Sequence, residues 1–165
     1  MKPSIELRLR TMMRAMSEVI VPAIDADNSL AREQAQLMFG HLNALLRHHT
    51  LELRVDAHED AAARELARAL LDAGGGGART MAARDALTAA LAGADADALA
   101  HALERLVIAA GADGEPALHA ASARLVLDHA RRQNRLGRAW FKPMGFDARP
   151  DELPDPATLL EDDVP

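Results

Sequence analysis

The chain has 165 residues (17.7 kDa), of which 49% are apolar, 27% charged and 2% aromatic, with a formal net charge of −6 and no cysteine. Alanine supplies 36 positions, and the aromatics are Phe39, Trp140, Phe141 and Phe146. This size suits one domain, and this composition argues against a β-sandwich or barrel and for helices packed on small side chains; without cysteine there is no disulfide framework, thiolate metal site or cysteine nucleophile.

The first residues, Met1-Lys2-Pro3-Ser4-Ile5-Glu6-Leu7-Arg8, carry charges where a signal peptide needs an apolar run. A helix is predicted from Ser4 to Ile24, because Ile5, Leu9, Met12, Met16, Val19 and Ala23 recur in steps of four and three. Leu7, Met13, Ile20 and Ile24 widen its apolar face, and Pro22 is expected to kink or stop it. Asp25-Ala26-Asp27-Asn28-Ser29 reads as a turn with Ser29 as the cap of a second helix. In that helix Ala31, Ala35, Met38, Leu42 and Leu45 form the predicted buried set, and Gly40 suggests a neighbouring backbone close by. The ten-residue stretch Leu37 to Leu46 is far too short to span a bilayer, so a cytoplasmic protein with no membrane association is expected.

Leu51-Glu52-Leu53-Arg54-Val55-Asp56 alternates like a strand but has no partner in the chain, so it is read as helical or bent. Asp56 with Glu59 then resembles an N-cap with an acid three residues on, starting a helix to about Ala73. Gly74-Gly75-Gly76-Gly77 is not preceded by a strand or followed by Lys-Ser or Lys-Thr. It therefore fails as a P-loop or dinucleotide fingerprint, and a flexible linker is expected. Shorter helices follow at 81–91 and 97–110, the second capped by Asp95, then a turn at Gly111-Ala112-Asp113-Gly114. A last long helix starts at Pro116 and frays after Leu136-Gly137. The expected fold is all-α, an up-down bundle of five to six helices over residues 1–146.

The charge is distributed unevenly. Residues 147–165 hold seven acids, one Arg and four prolines, so this tail carries the whole −6 while 18 acids and 18 bases cancel in the rest. Such a segment is expected to be disordered or loosely docked. Before it, Arg124, Arg131, Arg135 and Arg138 recur at seven, four and three on one helical face, with Arg132 and Lys142 nearby and Trp140 and Phe141 following. Guanidinium rows beside aromatics suit anions such as phosphorylated or CoA-like ligands, and the chain's own tail competes for them. The acidic tail argues against nucleic acid.

The seven histidines invite a metal reading, with His41 and His48 on one helix face and His101 or His129 as a third ligand. None of the ten glutamates has a histidine three residues later, and the chain contains no His-x-His or His-x-x-x-His. Asp128-His129 are neighbours that point about 100° apart in a helix and do not orient each other. Ser4, Ser17, Ser29 and Ser122 occupy no nucleophile elbow. No cofactor is expected.

Val19-Ile20-Val21-Pro22-Ala23-Ile24-Asp25 with Asn28 to Gln36, and Ala139-Trp140-Phe141 with Gly145-Phe146-Asp147, resemble a group of bacterial all-α proteins without an established activity. The resemblance covers about a third of the chain and implies an accessory role near acyl-CoA metabolism, since related groups are encoded beside acyl-CoA dehydrogenases and kinase-like phosphotransferases. It assigns no functional residue. The wide apolar face of the first helix, and the aromatic segment of Trp140, Phe141 and Phe146, predict a protein interface, most simply a homodimer. The expected function is thus a non-catalytic interaction protein, with an anion binder and a metal-dependent enzyme as the alternatives.

Overall fold

The computed structural model describes residues 2–162, and Asp163, Val164 and Pro165 of the acidic tail lie outside them. Among the described residues the fold is all-α, with seven α-helices and no strand. The chain divides into two compact units, one built from Met1–Arg54 with Arg135–Pro165 and the other from Val55–Asn134. These boundaries differ from the division into body and tail that composition suggests.

In the first unit, α1 (Ile5–Ala15) is capped by Ser4, whose hydroxyl accepts from Leu7 N at 3.1 Å. The helix continues through a π-turn, Met16–Ile20, into Val21–Ala23. Pro22 accounts for the widened turn: it has no N–H to offer the carbonyl four residues back, and its ring crowds that carbonyl. The Val21 N–H reaches back to Met16 O instead. Leu9 and Met16 are buried, whereas Val19 is 65% exposed.

The next helix, α2 (Ser29–His48), is capped by Asn28 and not by Ser29; the Asn28 Oδ1 accepts from Ala31 N at 3.0 Å. Its fully buried residues are Ala35, Gly40, Ala44 and His48, while Met38 is 56% exposed and Leu45 also lies exposed. Only Ala35 of the expected set is fully buried, because the smallest residues admit the closest neighbours. At Gly40, Met144 Cα lies 3.6 Å from the position of a Cβ, which leaves room for a methyl group. Beside it, Asn43 Nδ2 donates to Pro143 O at 3.1 Å.

Those neighbours belong to the returning C-terminal segment. A 3-10 turn at Lys142–Met144 ends at Gly145, whose φ of +82° suits glycine. A second 3-10 turn spans Pro150–Glu152, and α7 follows at Pro156–Asp162. α7 is the helix that the count from pattern omits. Asp155 Oδ1 accepts from Ala157 N at 2.8 Å at its start. The acidic segment has few apolar residues, but Leu153, Pro156 and Leu160 are all buried.

The second unit contains α3 (Glu52–Asp72) from residue 55 on, α4 (Ala78–Ala92), α5 (Ala96–Asp113) and α6 (Pro116–Phe141) up to residue 134. α3 begins before Asp56, so the expected cap there is an interior helical position; the strand-like alternation of 51–56 lies in helix after its first residue. α5 runs on to Asp113, and α6 passes Gly137 without a break, both beyond their expected ends. The core joins Leu66, Leu70, Leu87, Leu99 and Leu106 with alanines between them, each leucine worth about 2 kcal/mol of burial. Arg64 binds Asp60 Oδ2 at 2.7 Å and donates to Leu91 O and Gly93 O, satisfying carbonyls at the end of α4.

The four glycines are not a flexible linker. Gly76 forms an antiparallel bridge with Gly114, with Gly77 N donating to Asp113 O at 2.8 Å and Glu115 N to Gly75 O at 3.0 Å. Asp113 closes the N-terminus of α4: its carboxylate accepts from Arg79 N (2.9 Å), Thr80 N (3.0 Å) and Thr80 Oγ1 (2.6 Å). The Thr80 hydroxyl is the main reason that the Asp113 carboxyl is held below the usual range. A Cβ at Gly76 would lie 2.7 Å from Asp113 O and 2.8 Å from Gly114 Cα, whereas one at Gly75 would make ordinary contact at 3.7 Å. Gly76→Ala should therefore destabilise the protein by about 1–3 kcal/mol and Gly75→Ala by much less, a contrast that urea unfolding of the two variants will measure.

Candidate functional site

Within the first unit, the end of α2 and the returning segment enclose a cleft of about 360 Å³. Its polar lining is Arg47, His48, Lys142 and Asp155. Helix period brings His48 inward, on the same small-residue face as Ala44, while Arg47 remains exposed at the rim. Pro143, Pro150, Pro154 and Pro156 supply a proline wall to the same cleft. Proline rings have no N–H and a fixed φ, so that wall is apolar and stiff.

His48 is only 7% exposed. Its ring packs on Trp140, with centroids 4.8 Å apart and the planes tilted by 33°. Among the described residues the buried Nε2 atom has no hydrogen-bond partner. Burial pushes the His48 pKa below 6.5; Asp155 opposes that shift and Arg47 adds to it. A neutral imidazole is the form this site favours, because charging it would place an ammonium-like ion in a desolvated position beside an arginine.

The two cations of the cleft are lightly engaged. Arg47 Nε donates to Asn43 Oδ1 at 3.4 Å, and Lys142 Nζ to Leu153 O at 3.2 Å. Among the described residues neither is paired with a carboxylate. The cleft's own acid, Asp155, already accepts from the Ala157 N–H. The chemistry available here is recognition of negative charge beside an apolar wall.

The arginine row read from sequence is divided. Arg124 and Arg131 belong to the second unit, and Arg135 and Arg138 to the first. Arg131 pairs with Asp128 at 3.0 Å. Arg138 makes a two-pronged pair with Asp147 of the acidic segment, Nε–Oδ2 at 2.8 Å and Nη2–Oδ1 at 3.0 Å. That fork, with the Arg149 N–H at 2.8 Å, holds Asp147 at about 2. Arg124 and Arg135 are exposed. Of the aromatic set, Trp140 turns inward onto His48, while Phe141 and Phe146 remain exposed, Phe146 at 68%.

The metal reading finds no convergent ligand set. Among the described residues no three His, Asp or Glu side chains come together as a metal ion requires. His41 is exposed while His48 is buried, and His101 is exposed on α5. His129 is half-buried in the second unit, where burial, with Arg132 adding to it, lowers its pKa against the pull of Glu65 and Glu59. Arg47 did not stand out in the sequence; Lys142 was read only beside the arginine row, and Asp155 only as one of the acids of the tail. Arg47 lies 93 residues before Trp140 and in no local motif; its proximity to Lys142 arises only when the C-terminal segment returns to α2.

Two measurements follow. Side-chain NMR should find His48 and His129 protonating below 6.5; because their folded pKa values are depressed, the stability they allow is complete above about pH 6.5 and declines as pH falls through the folded values. Asp147 behaves likewise at lower pH, so Asp147→Asn should lower the urea midpoint at pH 7, and its deficit should shrink below pH 3.8 towards about 2. In comparisons with protein families, curated proteins and solved structures, none matches this chain.

Proposed function

We propose that this protein is a non-catalytic helical accessory protein that acts through contact surfaces and self-associates as a homodimer. The observation that carries this reading is the exposed apolar face of the first unit. Ile5, Met12, Val19 and Ile20 on the first helical segment, with Leu30, Met38 and Leu45 on α2, are all exposed. Ala31, Ala35, Met38, Leu42 and Leu45 follow the four-three spacing of a helix-pairing seam, yet Met38 and Leu45 at its centre and end are uncovered.

A second copy is the simplest cover for that seam. Around a two-fold axis the same stripe meets itself, so each residue needs only its own counterpart. Charge favours this too, because residues 1–146 are electrically balanced and the net −6 belongs to the tail. The resemblance to bacterial all-α proteins, related groups of which are encoded near acyl-CoA dehydrogenases, supports an accessory partner role in that setting. A cytoplasmic location agrees with this reading, and no described helix is long and apolar enough to cross a membrane.

Light scattering coupled to size exclusion should return the mass of two chains at micromolar concentration. Met38→Glu places a charge on a side chain that the folded monomer already exposes, so it should yield one chain of unchanged helicity by circular dichroism. A wild-type mass of one chain would remove the dimer.

A further inference from the structure

The cleft beside His48 has features that the contact-surface reading does not use. We propose that it binds a small organic phosphate monoester, with the phosphate between Arg47 and Lys142 and the organic body against the proline wall. Three observations meet there.

The first is unspent positive charge. Arg47 and Lys142 line one cleft and neither has a carboxylate partner among the described residues. Arg47 spends Nε on a long 3.4 Å bond to Asn43, which leaves its terminal nitrogens for a ligand. Lys142 spends one donor of three on the Leu153 carbonyl, a contact that fixes its direction. Asp155 offsets one charge, and its bond to the Ala157 N–H ties that carboxylate to the start of α7. Two cations against one acid leave a site that favours a doubly charged head group over a neutral one.

The second is shape. A volume of about 360 Å³ lies within the range of small-molecule pockets and is many times that of a bare oxyanion. The proline rings present apolar faces to whatever is attached to the head group. The third is His48, buried in the wall and kept neutral by its surroundings. A dianion between Arg47 and Lys142 would offset the repulsion from Arg47 and draw the histidine towards its charged form. Binding and His48 protonation are therefore linked, and each must favour the other.

Trp140 makes the test direct, since it is the only tryptophan, the chain has no tyrosine, and its ring rests on His48. The probe is phenyl phosphate, titrated into the full-length protein at pH 7 and followed by tryptophan fluorescence, with inorganic phosphate and phenol as comparisons. Saturable change with phenyl phosphate, much weaker change with the other two, and about tenfold loss of affinity in Arg47→Ala and Lys142→Ala are the expected results. Equal affinity for inorganic phosphate would overturn the role of the proline wall, and no saturation at millimolar phenyl phosphate would overturn the site. Should either variant fail to fold, wild-type protein still decides: the His48 pKa read by NMR should rise when phenyl phosphate is added, and an unmoved value means that the ligand does not sit in this cleft.

Discussion

Burial of His48 against Trp140 is the interaction on which the first unit depends. α1 and α2 have between them only a narrow stripe of buried residues, and most of the large apolar side chains of α1 remain outside it. What completes the unit is the end of α6 and the segment after it, arriving from about a hundred residues away. The aromatic stack, the Met144 approach at Gly40 and the Asn43 bond to Pro143 all bear on one face of α2, and Leu136, Ala139, Leu153 and Leu160 bury themselves in the same unit. Closing so long a loop costs entropy that grows only slowly with its length, and several apolar contacts suffice to offset it.

The second unit is stabilised differently. It relies on leucines set among alanines, so that helices approach closely and little side-chain entropy is lost. Its polar fastenings lie at helix ends, with Arg64 on the last carbonyls of α4 and Asp113 on its first N–H groups. The two residues act at opposite poles of one helix, each with the charge that its pole attracts.

Sequence reasoning reached the all-α class, the cap at Asp95, the start of α6 at Pro116 and the disturbance at Pro22. These rest on neighbours within four residues. It went astray wherever a distant segment decides the outcome. The inner face of α2 could not be chosen from hydrophobicity, because Gly40 and Ala44 are selected by what packs on them and not by how apolar they are. Four glycines in a row carry no mark of the Asp113 carboxylate that orders them. The acidic composition around Leu153 and Leu160 conceals two side chains placed to be covered. Of the cleft, His48 was noticed as one of a metal pair with His41, Lys142 only as a neighbour of the arginine row, and Arg47 not at all.

The tetraglycine turn has one more consequence. A glycine-rich loop leading into a helix is the usual reception point for a phosphate, and here that position is occupied by a carboxylate tethered to the same chain. A tethered group competes at an effective concentration of millimolar or more, above that of most free metabolites. Any visiting anion would have to evict Asp113 and leave Thr80 to find another acceptor. The loop is thus a receptor already satisfied by its own ligand.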